Sequence, residues 1–353
     1  MVTRTFSSFK ALLAALALSA THARAQGCVA IKQFGGGTCS LDSSLAASSE
    51  KWDLTVSYQH FRSHRHFVGT NQQFQRRAAN SEVVNVVEQV DTAISYAVNP
   101  STTVTLGIPY FSASRTSLYE HDRINRFQMD ARGLGDVRLS VDRWLLNPQT
   151  NPKGNLSLGL GLKMPTGNSN VKDYAHTVNG LVLRNVDQSI QPGDGAWGYT
   201  FQLQAFWKLA EKTSLYGSGF YLVNPKETNG TRTTASITSV TAYNSVADQY
   251  QARLGLSQVL LPKHHLTASL GGRLEGVPAL DFTGGDRGFR RPGYVLSIEP
   301  GLAFARGHDT FSLSVPVAVV RNRVRSYADR LGTGQGDAAF ADFLISITYG
   351  HKW

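Results

Sequence analysis

The side chains best placed to do chemistry in this sequence are charged residues that alternate with apolar ones along extended segments. Nine of them take the polar positions of such segments: Asp91, Asp136, Arg138, Asp142, Lys163, Arg253, Arg273, Glu275 and Glu299. Opposed charges that line a path select solutes electrostatically, but the same charges can also pair and fill a narrow interior. The sequence leaves both roles open.

Histidines raise the question of catalysis. His60, His64 and His66 lie close together, and His121 stands in a later polar stretch. Hydrolysis needs a nucleophile, a base and an orienting group that converge, and Gly-x-Ser-x-Gly does not occur in the sequence. His64 and His66 alone make a weak metal site. We expect no enzyme, no cofactor and no metal, and a surface hydrolase is the least favoured alternative.

The segments that carry the nine charges are typical of β-strands with one apolar and one polar face. Residues 155–164 show this most plainly, because leucine stands at four alternate positions with serine or glycine between them. Twelve such segments are predicted: 52–61, 84–98, 103–111, 135–146, 155–164, 197–209, 213–223, 248–258, 265–276, 294–304, 310–320 and 343–353.

The connections between these segments alternate in length. Short ones with turn residues lie at 99–101, 147–154, 210–212, 261–264 and 306–309. Long polar ones lie at 62–82, 112–134, 165–196, 224–246, 278–292 and 321–337. Outer-membrane barrels have short periplasmic turns and long extracellular loops, and an even strand number leaves both termini in the periplasm.

The last predicted strand, 343–353, alternates apolar and polar residues and ends on an aromatic side chain. Aromatic residues anchor such strands at the lipid headgroups. The apolar face of the strand is turned toward lipid and the polar face toward the lumen. We interpret Tyr349 and Trp353 as the assembly signal, which makes the barrel-assembly machinery an expected partner.

The N-terminus resembles an export signal. A short apolar run follows Arg4 and Lys10, and Ala23-Arg24-Ala25 fits a cleavage site, so residues 1–25 are predicted to be a signal peptide. No later run approaches the roughly 20 apolar residues of a membrane helix. Residues 26–50 form a predicted periplasmic leader with a Cys28–Cys39 disulfide, and residues 51–353 form the barrel.

The formal charge of +10 is concentrated in part in the long connections. Nine arginines there could bind lipopolysaccharide phosphates: Arg115, Arg123, Arg126, Arg287, Arg290, Arg291, Arg321, Arg323 and Arg325. Acidic neighbours such as Glu120, Asp122 and Asp286 offer local pairing instead, which we favour. Nucleic acid is not an expected partner of a protein with an outer-membrane address.

Two short motifs point to a family. Gly133-Leu134-Gly135-Asp136-Val137 opens a predicted strand and Lys163-Met164-Pro165-Thr166-Gly167 closes the next; residues 284–294 and Glu299-Pro300-Gly301 add to the pattern. Together they resemble the meta-pathway phenol-degradation outer-membrane family. The resemblance extends over most of the barrel, but not over the Cys28–Cys39 leader. It implies an outer-membrane barrel that passes hydrophobic or aromatic compounds.

The sequence therefore predicts an all-β protein, a transmembrane antiparallel up-and-down β-barrel of about twelve strands in the outer membrane. We expect a monomer that contacts membrane lipid and lipopolysaccharide and passes a small, hydrophobic or aromatic solute by diffusion. The first alternative is a structural or adhesive barrel with a filled lumen.

Overall fold

The computed structural model describes residues 50–234, 238–332 and 334–353. The predicted signal peptide, the leader and the Cys28–Cys39 disulfide lie outside the described residues. The predicted barrel, 51–353, is described apart from the two short gaps. Among the described residues, no helix is long and apolar enough to cross a membrane.

The wall is one antiparallel sheet of twelve strands that closes on itself. Ten wall strands are continuous: β1 (Trp52–Val68), β3 (Val84–Asn99), β4 (Thr102–Ser117), β7 (Gly154–Lys163), β10 (Gly198–Ala210), β11 (Thr213–Val223), β14 (Gln249–Leu261), β15 (Leu266–Val277), β16 (Gly293–Arg306) and β19 (Ala338–Lys352). The fourth is divided into β5 (Phe127–Leu134) and β6 (Arg138–Trp144), and the eleventh into β17 (Asp309–Ser314) and β18 (Val317–Asn322). The predicted twelve-stranded up-and-down barrel is confirmed.

The remaining elements are short and belong to the connections. They are the strands β2 (Asn71–Gln72), β8 (Lys172–Thr177), β9 (Gly180–Asn185), β12 (Thr228–Arg232) and β13 (Tyr243–Ser245), the helices α1 (Gln75–Ala78) and α2 (Tyr327–Leu331), and the 3-10 turns Gln188–Ile190 and Pro262–His264. Strands β8 and β9 form one hairpin, and β12 and β13 form another.

The barrel closes where its first and last strands pair. The backbone N–H of Trp52 donates to the carbonyl of Trp353, and the N–H of Trp353 donates to the carbonyl of Trp52, each at 3.0 Å. Both indole side chains are exposed at this rim. The chain terminus is therefore part of the closing seam and carries an interfacial aromatic anchor.

We expect deletion of Trp353 to impair assembly, because it removes the last hydrogen-bonded pair of the seam together with the anchor. The fraction of heat-modifiable protein in the outer membrane should fall well below that of the full chain. Trp353→Phe is the control, since it keeps the backbone pair and an aromatic ring. Normal insertion of the truncated chain would contradict an assembly role for this residue.

The two faces of the wall differ in burial as alternation requires. Leu160 and Leu254 are each 63 % exposed on the outer surface, whereas Lys163 is fully buried and Arg273 is 2 % exposed on the inner one. A register slip of one residue would turn such cations toward lipid, at a cost of about 2–4 kcal/mol for each Arg or Lys near the bilayer midplane. The alternation therefore fixes the register of the wall.

Several predicted strand boundaries were wrong. Strands β1 and β4 run to Val68 and Ser117, beyond the predicted ends at 61 and 111, and β19 begins at Ala338 rather than 343. Strand β5 lies within the predicted loop 112–134. Backbone pairing continues above the apolar belt, where the side chains no longer face lipid and the alternation that revealed the strands is lost.

Two predicted strands are also interrupted. Residues 135–137 separate β5 from β6, and there the Val137 N–H donates to the hydroxyl of Thr166 at 2.8 Å instead of to a neighbouring strand. Residues 315–316 separate β17 from β18, because Pro316 has no N–H to give to the sheet. The predicted strand 135–146 is therefore reduced to Arg138–Trp144, and the predicted strand 310–320 is divided into two pieces that together run from Asp309 to Asn322.

An apolar cluster fills part of the interior at the end that carries the long connections. Phe61, Phe111, Met129 and Leu344 point inward from the wall and pack with Ile190 and its neighbours from the β7–β10 connection. We call residues 164–197 the β7–β10 loop. This loop is thus folded into the barrel mouth rather than extended into solvent.

Candidate functional site

The nine charges predicted from the sequence all lie away from the lipid-facing surface, and they form local groups. Arg253, Arg273, Glu275 and Glu299 come together on β14, β15 and β16. The Arg273 guanidinium donates to Glu275 at 2.6 and 3.1 Å, and lies 3.8 Å from Glu299. Arg253 lies 3.4 Å from the other oxygen of Glu299. Two cations and two carboxylates therefore neutralise each other on the inner surface of these three strands.

A second group lies on the inner surface of the opposite side of the barrel. Arg138 on β6 reaches Asp91 on β3 at 3.4 Å, across the intervening β4, on which Gly107 is the residue paired with Arg138. Asp142 stands two residues along β6 and accepts a hydrogen bond from Ser140 at 3.3 Å. The structure brings Arg138 and Asp91 together, and it places no basic partner on Asp142 among the described residues.

A third group ties the β7–β10 loop to the wall. Lys163 lies between Asp136, at 3.9 Å, and Asp194, with which it forms a close ion pair. Asp136 also accepts hydrogen bonds from the backbone N–H groups of Gly167 at 2.9 Å and Asp194 at 3.0 Å. The sequence predicted Asp136 and Lys163 but not Asp194, since a loop residue carries no periodic signal.

The long connections are held together by buried arginine ion pairs. Asp187 accepts from both terminal nitrogens of Arg291, at 2.5 and 2.9 Å, and lies 3.8 Å from Arg115. Arg290 binds Asp281 in the same two-pronged way, at 2.6 and 2.8 Å. Burial alone would raise the pKa of Asp187, but the two arginines outweigh burial and hold that pKa far below its usual range.

The other loop arginines follow the same rule in part. Arg115 pairs with Glu120 at 2.9 Å, as the neighbouring acid suggested. Further pairs are Arg126–Glu82, Arg290–Asp286, Arg321–Asp342 and Arg323–Asp329. Asp122 instead accepts hydrogen bonds from Ile124 and Asn125, and it pairs with no arginine among the described residues. Most of these guanidiniums thus serve the loop fold.

Two cavities lie beneath the folded loops and have two lining residues in common. The larger, about 90 Å³, is lined mainly by amide, hydroxyl and guanidinium groups of the β7–β10 loop, the β12–β13 hairpin and residues Arg290 and Arg291. The smaller, about 20 Å³, is lined by Pro109, Phe111 and Pro192 beside polar groups. Asp194 and Gln249 line both cavities. A larger polar cavity therefore adjoins a smaller one whose lining is part apolar and part polar.

Two of the four histidines singled out in the sequence, His66 and His121, are hydrogen-bonded within the protein. His66 is fixed at both ring nitrogens, by Asp337 at 3.1 Å and by the Val83 N–H at 2.8 Å. His121 accepts from the backbone of His176 at 3.0 Å, and burial lowers its pKa. Among residues 50–234, 238–332 and 334–353, no three His, Cys, Asp or Glu side chains converge as metal ligands.

Comparison with known proteins bears on the membrane in which the barrel lies. No family model matches the chain, and no curated protein matches it. The structure is similar to the crystal structure of an outer membrane channel from Pseudomonas putida F1, with a TM-score of 0.57 and 14 % sequence identity over 87 % of this chain and 96 % of that one. The chain is an outer-membrane β-barrel. The predicted location is thereby confirmed, and the exposed apolar belt of the barrel contacts membrane lipid.

Two further structures match this barrel less well. One is a FadL homologue of Pseudomonas aeruginosa, with a TM-score of 0.41 and 10 % identity over 88 % of this chain and 92 % of that one. The other is the β domain of a Bordetella autotransporter, with a TM-score of 0.46 and 11 % identity over 86 % and 100 % of the two chains. Neither score is high enough to bear on function.

Proposed function

We propose that this outer-membrane barrel is a diffusive channel for a small solute of mainly apolar, including aromatic, character. The observation that carries the proposal is the pair of adjoining cavities beneath the folded loops, at the mouth of a closed wall. The smaller one presents the ring of Phe111 and two prolines to the interior. Small-molecule sites are typically concave and mostly apolar, with a few placed polar groups.

The charges of the inner wall support a solute without net charge. The group formed by Arg253, Arg273, Glu275 and Glu299 is balanced, and Arg138 is balanced by Asp91, which leaves Asp142 as the acid of this set with no basic partner among the described residues. Selective ion pores instead present rings of one sign. A neutral molecule meets little electrostatic barrier along such a surface.

The same ion pairs favour a second candidate, a structural or adhesive barrel with a filled interior. Buried pairs such as Lys163–Asp194 and Arg291–Asp187 can serve to hold loops in place without any passage of solute. In either case we propose a monomer that the barrel-assembly machinery inserts, with Cys28 and Cys39 bonded in a periplasmic leader. A surface hydrolase is not supported by the histidine geometry.

Blocking the shared cavity residue tests the channel proposal. We expect Gln249→Trp to reduce the uptake of a labelled apolar solute, such as toluene, by cells that produce the barrel, because the indole would fill both cavities. The uptake rate should return to that of cells without the protein. Leu254→Trp on the same strand is the matched control, since Leu254 faces lipid.

The comparison requires that both variants reach the outer membrane in heat-modifiable form. If Gln249→Trp takes up solute as fast as the unchanged protein, the cavities are not on the path. If the unchanged protein gives no uptake above cells without it, the channel proposal fails and the structural alternative stands.

A further inference from the structure

Two residues that line the larger cavity each carry a buried amide oxygen with no hydrogen-bond partner among the described residues. Asn244 on β13 is 1 % exposed, and its Oδ1 atom accepts no hydrogen bond from any described residue. Gln249, the first residue of β14, has an Oε1 atom that is likewise buried and unpaired within the described part of the chain. Both residues line the cavity of about 90 Å³. Buried acceptors that lack a donor are costly, at about 1–3 kcal/mol each.

The other groups around this cavity are already engaged. Gln191 accepts from the Val171 N–H at 2.8 Å, and Asn229 accepts from the Thr231 N–H at 2.9 Å. Arg290 and Arg291 are each bound two-pronged by an aspartate. The charged groups of the cavity lining are therefore already paired within the protein. The groups that remain to bind a ligand are the two neutral amide oxygens of Asn244 and Gln249, which can each accept a hydrogen bond.

We propose that the larger cavity binds a neutral solute that donates a hydrogen bond, such as an alcohol, to the amide oxygens of Asn244 and Gln249. The inference rests on the proposed channel function and narrows its solute class. Gln249 also lines the smaller cavity, beside Phe111, Pro109 and Pro192. A hydroxyl held at Gln249 therefore lies near those apolar side chains, while the body of the solute occupies the larger cavity.

A matched pair of solutes separates hydrogen-bond donation from apolar contact. Cyclohexanol can donate a hydrogen bond, whereas cyclohexyl methyl ether has a similar apolar body and can only accept one. Isothermal titration of the purified full chain in detergent should show cyclohexanol binding about tenfold more tightly than the ether, as one net hydrogen bond predicts. Asn244→Leu and Gln249→Met should each reduce this preference, and together they should abolish it.

The control is Asn179→Leu, at the exposed turn between β8 and β9, which should keep the full preference. Gln249→Met keeps the test valid if Asn244→Leu fails to fold, because Gln249 lies in the wall strand and methionine has nearly its shape. Heat-modifiable migration identifies the folded variants.

Three results would overturn the inference. Equal binding of the alcohol and the ether, or a preference that survives in the double variant, would show that the amide oxygens do not select the solute. No binding of either solute, with toluene uptake still blocked by Gln249→Trp, would remove this site but leave the channel function standing. Loss of both binding and uptake would overturn the channel function as well.

Discussion

Asp187→Ala should destabilise the folded extracellular loops by about 3–5 kcal/mol, the cost of breaking a buried ion pair by removing one partner. Asp187 accepts two hydrogen bonds from Arg291 and lies 3.8 Å from Arg115. Its loss would leave Arg291 buried without this carboxylate, near Arg115, which keeps its ion pair with Glu120. Asp187 also caps the turn Gln188–Ile190 by accepting from the Ser189 N–H at 2.9 Å, so that turn should loosen too.

Hydrogen exchange of the backbone amides in residues 186–193 measures this effect directly. Protection there should fall by a factor of about 100 or more, since each 1.4 kcal/mol corresponds to about tenfold in the opening equilibrium. Protection of the wall strands should change little. Asp122→Ala is the matched control, because the hydrogen bonds of Asp122 among the described residues go to Ile124 and Asn125 of its own exposed turn. Unchanged protection of residues 186–193 would mean that the arginine pairs do not hold the loop.

Arg273→Ala should make the barrel more selective for cations, if its interior conducts ions. The substitution leaves Glu275 and Glu299 with Arg253 as the remaining cation of the group. One unit charge about 4 Å away is worth about 1 kcal/mol in water, which corresponds to about fivefold in the cation-to-anion permeability ratio. Arg138→Ala should act in the same direction, since it leaves Asp91 without that arginine.

Reversal potentials in planar bilayers under a salt gradient provide the measurement. Arg306→Ala is the control, because Arg306 is exposed at the end of β16 and outside the group. Heat-modifiable migration should show that all three variants assemble. If the unchanged barrel does not conduct and the two interior variants only lose stability, the ion pairs are structural and the channel proposal loses an important support.

The wall could be predicted from the sequence because lipid imposes a strict alternation. Leu156 to Leu162 on β7 and Leu254 and Leu256 on β14 could lie on no other face without exposing charge to hydrocarbon. The same rule placed Arg273 and Glu299 on the inner surface. Strand β5 was missed because it continues above the lipid, where water accepts any side chain and the rule no longer applies.

The candidate site was less predictable than the wall. Asp194, Asn244 and Gln249 come together because the β7–β10 loop and the β12–β13 hairpin fold inward, and nothing periodic marks those residues. Loop conformation depends on pairs between distant positions, such as Arg291 and Asp187, which are 104 residues apart. A single sequence gives the charges of such residues but not which of them meet.

The buried loop arginines also determine how readily proteases cleave the loops of this barrel. Trypsin needs an arginine side chain that can enter its specificity pocket, on a backbone that can extend. Arg115, Arg290 and Arg323 are almost fully buried and held by carboxylates, whereas Arg123 and Arg287 are exposed. Loops that look rich in cleavage sites by sequence should therefore be cut at few places on intact cells, and the ion pairs that shape the mouth also shield it.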